Sequence, residues 1–84
     1  MTLHLLFSCR LATHQRLLQS LKDGDVVMLL EQALMQSLEP GVRYLARLHD
    51  GQQQGLQSRP VQWINDEQWL QLTLDADRTL SWFD

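Results

Sequence analysis

Lys22-Asp23-Gly24-Asp25-Val26-Val27-Met28-Leu29-Leu30-Glu31 is the stretch on which the fold turns. A polar turn opens it, five apolar residues follow, and a carboxylate closes it. Gly24 supplies the backbone freedom of the turn, and Asp25 can tie that turn down through hydrogen bonds to nearby N–H groups. An apolar run this short and continuous predicts a strand covered on both faces, as in a parallel α/β sheet. The carboxyl edge of such a sheet is where α/β proteins place ligands and partners, so Glu31 is the first residue to question. It also reads as a helix-start carboxylate favoured by the helix dipole.

Upstream, Thr2 to Phe7 (TLHLLF) reads as a first strand, with Ser8-Cys9-Arg10 as the loop at its carboxyl end. Leu11 to Leu21 carries Leu11, Leu17, Leu18 and Leu21 among Gln and Arg, which fits one face of a helix with Thr13 as its N-cap. Strand, helix and strand make a βαβ unit.

Downstream, Glu31 to Leu38 is helix-prone until Pro40-Gly41 breaks it. Val42 to Leu48 resumes a helical pattern, with Val42, Leu45 and Leu48 on one side. Asp50 to Pro60 (DGQQQGLQSRP) is polar, holds one apolar residue and reads as a loop. Val61 to Ile64 is a short third strand. Asn65 or Asp66 caps a helix through Leu74, and Arg78 to Phe83 is a closing strand. The expected fold is a small three-layer α/β domain over residues 1–84, its sheet mostly parallel with four or five strands.

Composition narrows the function classes. Apolar residues make up 44% of the 84, enough for a core and too many for disorder. A net charge of −3 with seven scattered Lys and Arg argues against direct nucleic-acid binding. No apolar run reaches membrane-spanning length and the short apolar start lacks a basic leader, so a cytoplasmic location is expected. Cys9 is the only cysteine, which excludes an intrachain disulfide. His4, His14 and His49 stand at no metal-ligand spacing, so no metal and no cofactor is expected. His4, inside an apolar strand, reads as a satisfied structural histidine.

Cys9, at a helix start beside Arg10, is a candidate thiol for sulfur chemistry; it also reads as a small residue without chemistry. Trp63, Trp69 and Trp82 crowd the last part of the chain, as core or as interface anchors. A chain this short leaves some apolar surface for a partner, with Met28, Leu34, Met35, Trp82 and Phe83 the interface candidates.

Three blocks together resemble the TusB/DsrH family of sulfur-relay proteins. They are the first strand with His4 and Ser8, the Gly24-Asp25 turn running into Val26–Glu31, and Ile64 to Thr73 with Ser81-Trp82 behind it. The resemblance implies a DsrE-like fold and a subunit role beside TusC- and TusD-like proteins. Such a complex passes persulfide sulfur toward 2-thiolation of the tRNA wobble uridine, or, in the related DsrEFH complex, serves sulfur oxidation. Two departures stand out. DsrH-type members carry a cysteine just before the Gly-Asp turn, where this chain has Gln19-Ser20-Leu21-Lys22, so their sulfur-carrying role does not transfer to Cys9. They also carry a third strand and helix that Asp50 to Pro60 is too short to hold. The expectation is therefore a structural subunit. The alternatives are a sulfurtransferase with Cys9 as persulfide carrier, or a stand-alone interaction module. Alone, the chain is expected to form a homodimer.

Overall fold

The computed structural model describes residues 1–83. The elements are β1 (Thr2–Leu6), α1 (Leu11–Ser20), β2 (Val26–Leu29), a 3-10 turn (Glu31–Met35), β3 (Tyr44–Arg47), α2 (Leu48–Gln54), β4 (Gln62–Ile64), α3 (Asp66–Asp75) and β5 (Arg78–Trp82). The strands form one sheet in the order β4-β3-β2-β1-β5, and every pairing is parallel. Helices cover both faces, which makes a three-layer α/β domain. The chain steps outward from β1 to β4, then returns to the far side of β1. The direction of winding thus reverses between β1 and β5, beside the Phe7–Cys9 loop.

Strand alternation sorts the core into two halves. Leu6, Val27, Leu29, Tyr44 and Ala46 face α1 and the 3-10 turn, where Leu17, Ala33 and Leu34 join them. Leu3, Val26, Met28, Leu45 and Ile64 face the other way, toward Trp69 and Leu72 of α3. Central β2 is buried along its whole length, as its unbroken apolar run requires. The two faces are unequally covered. No residue of α3 is fully buried, and its Leu70 and Leu74 are more than 60% exposed.

The capping of α3 follows the sequence. Asn65 accepts from the Gln68 N–H at 2.8 Å, and the Gln68 side chain accepts from the Asn65 N–H at 2.9 Å, a reciprocal capping box. The capping of α1 does not. Thr13 lies inside the helix and is buried, while Arg10 is the N-cap. The Ser8 hydroxyl accepts the Arg10 N–H at 3.0 Å, so the chain turns into the helix before Thr13 is reached.

The middle of the chain departs most from expectation. Glu31–Leu38 forms only the 3-10 turn Glu31–Met35. Val42–Leu48 is not a helix: Tyr44–Arg47 is a strand paired with β2 on one side and β4 on the other. Asp50–Pro60 is not structureless either, since Leu48–Gln54 is helical. A strand and a helix, β3 and α2, thus stand between β2 and the strand expected third, and Val61–Ile64 supplies β4.

Gly51 explains how α2 fits. A Cβ at this position would stand 2.5 Å from the Trp63 ring of β4. The helix seats its backbone on the indole, and Gly55 ends it in the left-handed conformation at φ 68°. Arg59 then fastens the following turn by donating to the Leu34 carbonyl at 2.9 Å. Gly51→Ala should cost about 1–3 kcal/mol despite alanine's better helix propensity, because the methyl group must displace a packed aromatic ring. Urea unfolding measures it; a stabilised variant would contradict the packing.

Candidate functional site

Two regions carry unusual polar structure, one centred on Asp25 before β2 and one at the carboxyl edge of the sheet. The first is buried. Asp25, just before β2, accepts from the Thr2 N–H at 2.9 Å and from the Lys22 N–H at 3.1 Å. The same carboxylate lies 3.1 Å from His4 Nε2. The other ring nitrogen of His4, Nδ1, meets Trp82 Nε1 at 3.1 Å. An indole N–H can only donate, so Nδ1 accepts and the histidine proton sits on Nε2, facing Asp25. Trp82, His4 and Asp25 thus form one directed chain across β5, β1 and the turn before β2. His4 is 1% exposed, so it is a satisfied structural histidine, as its place in an apolar strand suggests.

Burial alone would push the Asp25 carboxyl up, but its bonds from Thr2, His4 and Lys22 outweigh that and hold it at about 2. A second buried pair stands near the groove along α1. His14 Nε2 lies 2.7 Å from the Tyr44 hydroxyl, which accepts the Glu39 N–H at 3.1 Å. Burial lowers the His14 pKa, opposed in part by the Glu39 charge, and burial raises that of Tyr44.

The second region is the carboxyl edge of the sheet. Cys9 is exposed there, on the β1–α1 loop. Glu31 follows β2 on the same edge, because β1 and β2 run parallel with Leu6 beside Leu29. The Leu30 N–H donates to the Leu6 carbonyl at 2.9 Å and closes the two strand ends together. Glu31 opens the 3-10 turn in a left-handed conformation, φ 55°, which costs a non-glycine residue roughly 1 kcal/mol. Gln54 donates to its carbonyl at 3.1 Å and helps hold it.

The interface candidates separate on burial. Met28 and Leu34 are fully buried and leave the set: alternation points Met28 into the α3-side core, and Leu34 closes the 3-10 turn onto the sheet. Trp82 is half-buried by its bond to His4. Met35 and Phe83 are each 59% exposed, with the Phe83 ring stacked on Phe7 at 4.7 Å.

Open hollows of 410 and 500 Å³ flank α1, sharing Leu18 and Glu39; neither is lined by Cys9 or Glu31. Among the described residues no three His, Cys, Asp or Glu side chains converge as a metal site, and no helix is long and apolar enough to cross a membrane.

Sequence reasoning missed the His14–Tyr44 pair and the link from His4 to Trp82. Each joins residues far apart in the chain, with no local spacing to announce it. No protein-family model matches the chain, and no curated protein is significantly similar to it.

Two outcomes follow from the titrating groups. Asp25 has a lower pKa folded than unfolded, so its stabilisation is complete above about pH 4 and is lost as the pH falls toward about 2. Asp25→Ala should destabilise the protein by about 2–4 kcal/mol at neutral pH, since it orphans three donors. It should also flatten the acid limb of stability against pH; an unchanged limb would contradict the assignment. His14 is also lowered on folding, so the folded state resists its protonation and stability drops as the pH falls below about 6.5. Tracking denaturant midpoints in His14→Gln should show a shallower fall between neutral and mildly acidic pH.

Proposed function

We propose that the chain is a structural, non-catalytic subunit of a cytosolic sulfur-relay complex of the TusBCD kind. It would work beside TusC- and TusD-like subunits toward 2-thiolation of the tRNA wobble uridine. One observation carries this reading. The separated residues on which the resemblance rests, His4, the Gly24-Asp25 turn and Trp82, meet in a single hydrogen-bonded chain at distances of 3.1 Å. Residues that share one structural task are expected to be kept as a set, so their joint presence favours a shared DsrE-like architecture over chance likeness. The presence of β3 and α2 adds to this, because it supplies the strand and helix that the family pattern requires.

A structural role is favoured over a sulfur-carrying one by the thiol's surroundings. Relay chemistry needs a thiolate and a sulfur acceptor or an acid–base group within reach. Cys9 is the only cysteine in the chain, and its neighbour Ser8 is engaged with the Arg10 N–H. The persulfide would belong to a partner subunit. The competing sulfurtransferase reading draws on one fact, the exposure of Cys9 at the carboxyl edge where the winding reverses.

Co-expression with TusC- and TusD-like subunits, followed by native mass measurement and quantification of thiolated tRNA, tests the proposal. Cys9→Ser should assemble and keep thiolation within about twofold of the wild type. A fall of about tenfold with assembly intact would transfer the chemistry to Cys9. Failure to join such subunits would leave the stand-alone module.

A further inference from the structure

We infer that the outer edge of β5 is a self-pairing surface, on which a second copy of this chain adds its own β5 antiparallel across a two-fold axis at Leu80. The inference rests on the sheet and is independent of the sulfur-relay reading.

The sheet has two edges, and they are finished differently. The β4 edge is blunted: the strand has three residues, Pro60 stands just before it, and the Arg43 guanidinium folds over to Gln62 at 3.0 Å. The β5 edge has five residues, Arg78-Thr79-Leu80-Ser81-Trp82, with no proline and no charge after Arg78. β5 pairs with β1 on one side and is the last strand on the other.

Which backbone groups face outward follows from one bond. The Phe7 N–H donates to the Trp82 carbonyl at 3.1 Å, so the backbone groups of Trp82 point at β1. Alternation sends those of Leu80 the same way, and those of Thr79 and Ser81 outward. Both outward residues have exposed side chains.

An occupant must therefore present a strand whose own outward groups match. β5 itself meets this. With the axis at Leu80 the five residues overlap completely. Thr79 lies opposite the partner's Ser81 and Ser81 opposite the partner's Thr79, both as hydrogen-bonded pairs that use all four outward donors and acceptors. Leu80 meets the partner's Leu80, and Arg78 faces the partner's Trp82 rather than another cation. No like charges come opposite, and Thr–Ser and cation–aromatic neighbours are favourable cross-strand pairs. Half-buried Leu80 and Trp82 gain cover, and the result is a ten-stranded sheet with isologous symmetry.

Sedimentation velocity of the whole chain at micromolar concentration should give a species of twice 9.8 kDa. Thr79→Lys/Ser81→Lys places like charges opposite each other on exposed positions, and should weaken dimerisation by at least about tenfold with the circular dichroism unchanged. Thr79→Glu/Ser81→Glu should do the same, and mixing the two variants should restore the dimer. Should either variant misfold, hydrogen exchange on the wild type decides: the outward Thr79 and Ser81 amides should be protected in concentrated protein and exchange freely on dilution. A wild-type monomer, a dimer indifferent to both double substitutions, or concentration-independent exchange at these two amides would overturn the inference.

Discussion

The Asp25 carboxylate is the constraint on which the rest of the sheet depends. Parallel strands have no hairpin to fix their register, so something else must set where each begins. Here one buried acid takes the N–H of Thr2 at the start of β1, the N–H of Lys22 after α1, and the His4 ring within β1. Gly24, at φ 86°, lets the turn bring Asp25 back toward the strands. His4 in turn fixes Trp82 on β5. Three neighbouring strands are thereby indexed to one carboxylate, and a slip of any of them by one residue would break a buried hydrogen bond and invert its faces.

That arrangement suits a chain short of material. A small domain buries a modest fraction of its surface and has little stability to spare. The α1 side is well filled, down to a helix whose glycine rests on a tryptophan ring. The other side is left to α3, which has no fully buried residue and exposes Leu70 and Leu74. The buried polar chain compensates by specificity: its partners are all satisfied, and no buried side-chain polar atom among the described residues lacks one. The polar chain orders the strands, and the apolar residues around it supply the burial.

Legibility in the sequence followed the range of the forces involved. β2, α3 and its cap were readable because an unbroken apolar run and an Asn-x-x-Gln box are local signals. β3 was not, because Val42, Leu45 and Leu48 fall at helical intervals by accident. The segment is a strand since its backbone pairs with β2 and β4 on both sides, a tertiary choice that overrides periodicity. α2 escaped for the converse reason. Its sequence, LHDGQQQ, has almost no apolar face, and the one residue it buries is Gly51, whose value appears only when Trp63 is beside it. Of the candidate site, the placing of Cys9 and Glu31 on one edge was legible from the βαβ order. Naming Met28 an interface candidate ran against the two-sided reading of β2, because a strand covered on both faces buries all of its apolar side chains.

The Asp25 carboxylate and the exposed Cys9 thiol sit at opposite ends of the β1–β2 pair. His4, Asp25 and Trp82 are engaged in holding β1, β2 and β5 in register, and an acid held at about 2 by three donors is committed to that task. At the carboxyl edge Cys9 is exposed and Glu31 is left-handed, while the Leu30 N–H on the Leu6 carbonyl closes the strand ends. The Asp25 network thus accounts for how β1, β2 and β5 are placed, and the Cys9 thiol stands outside the groups that place them.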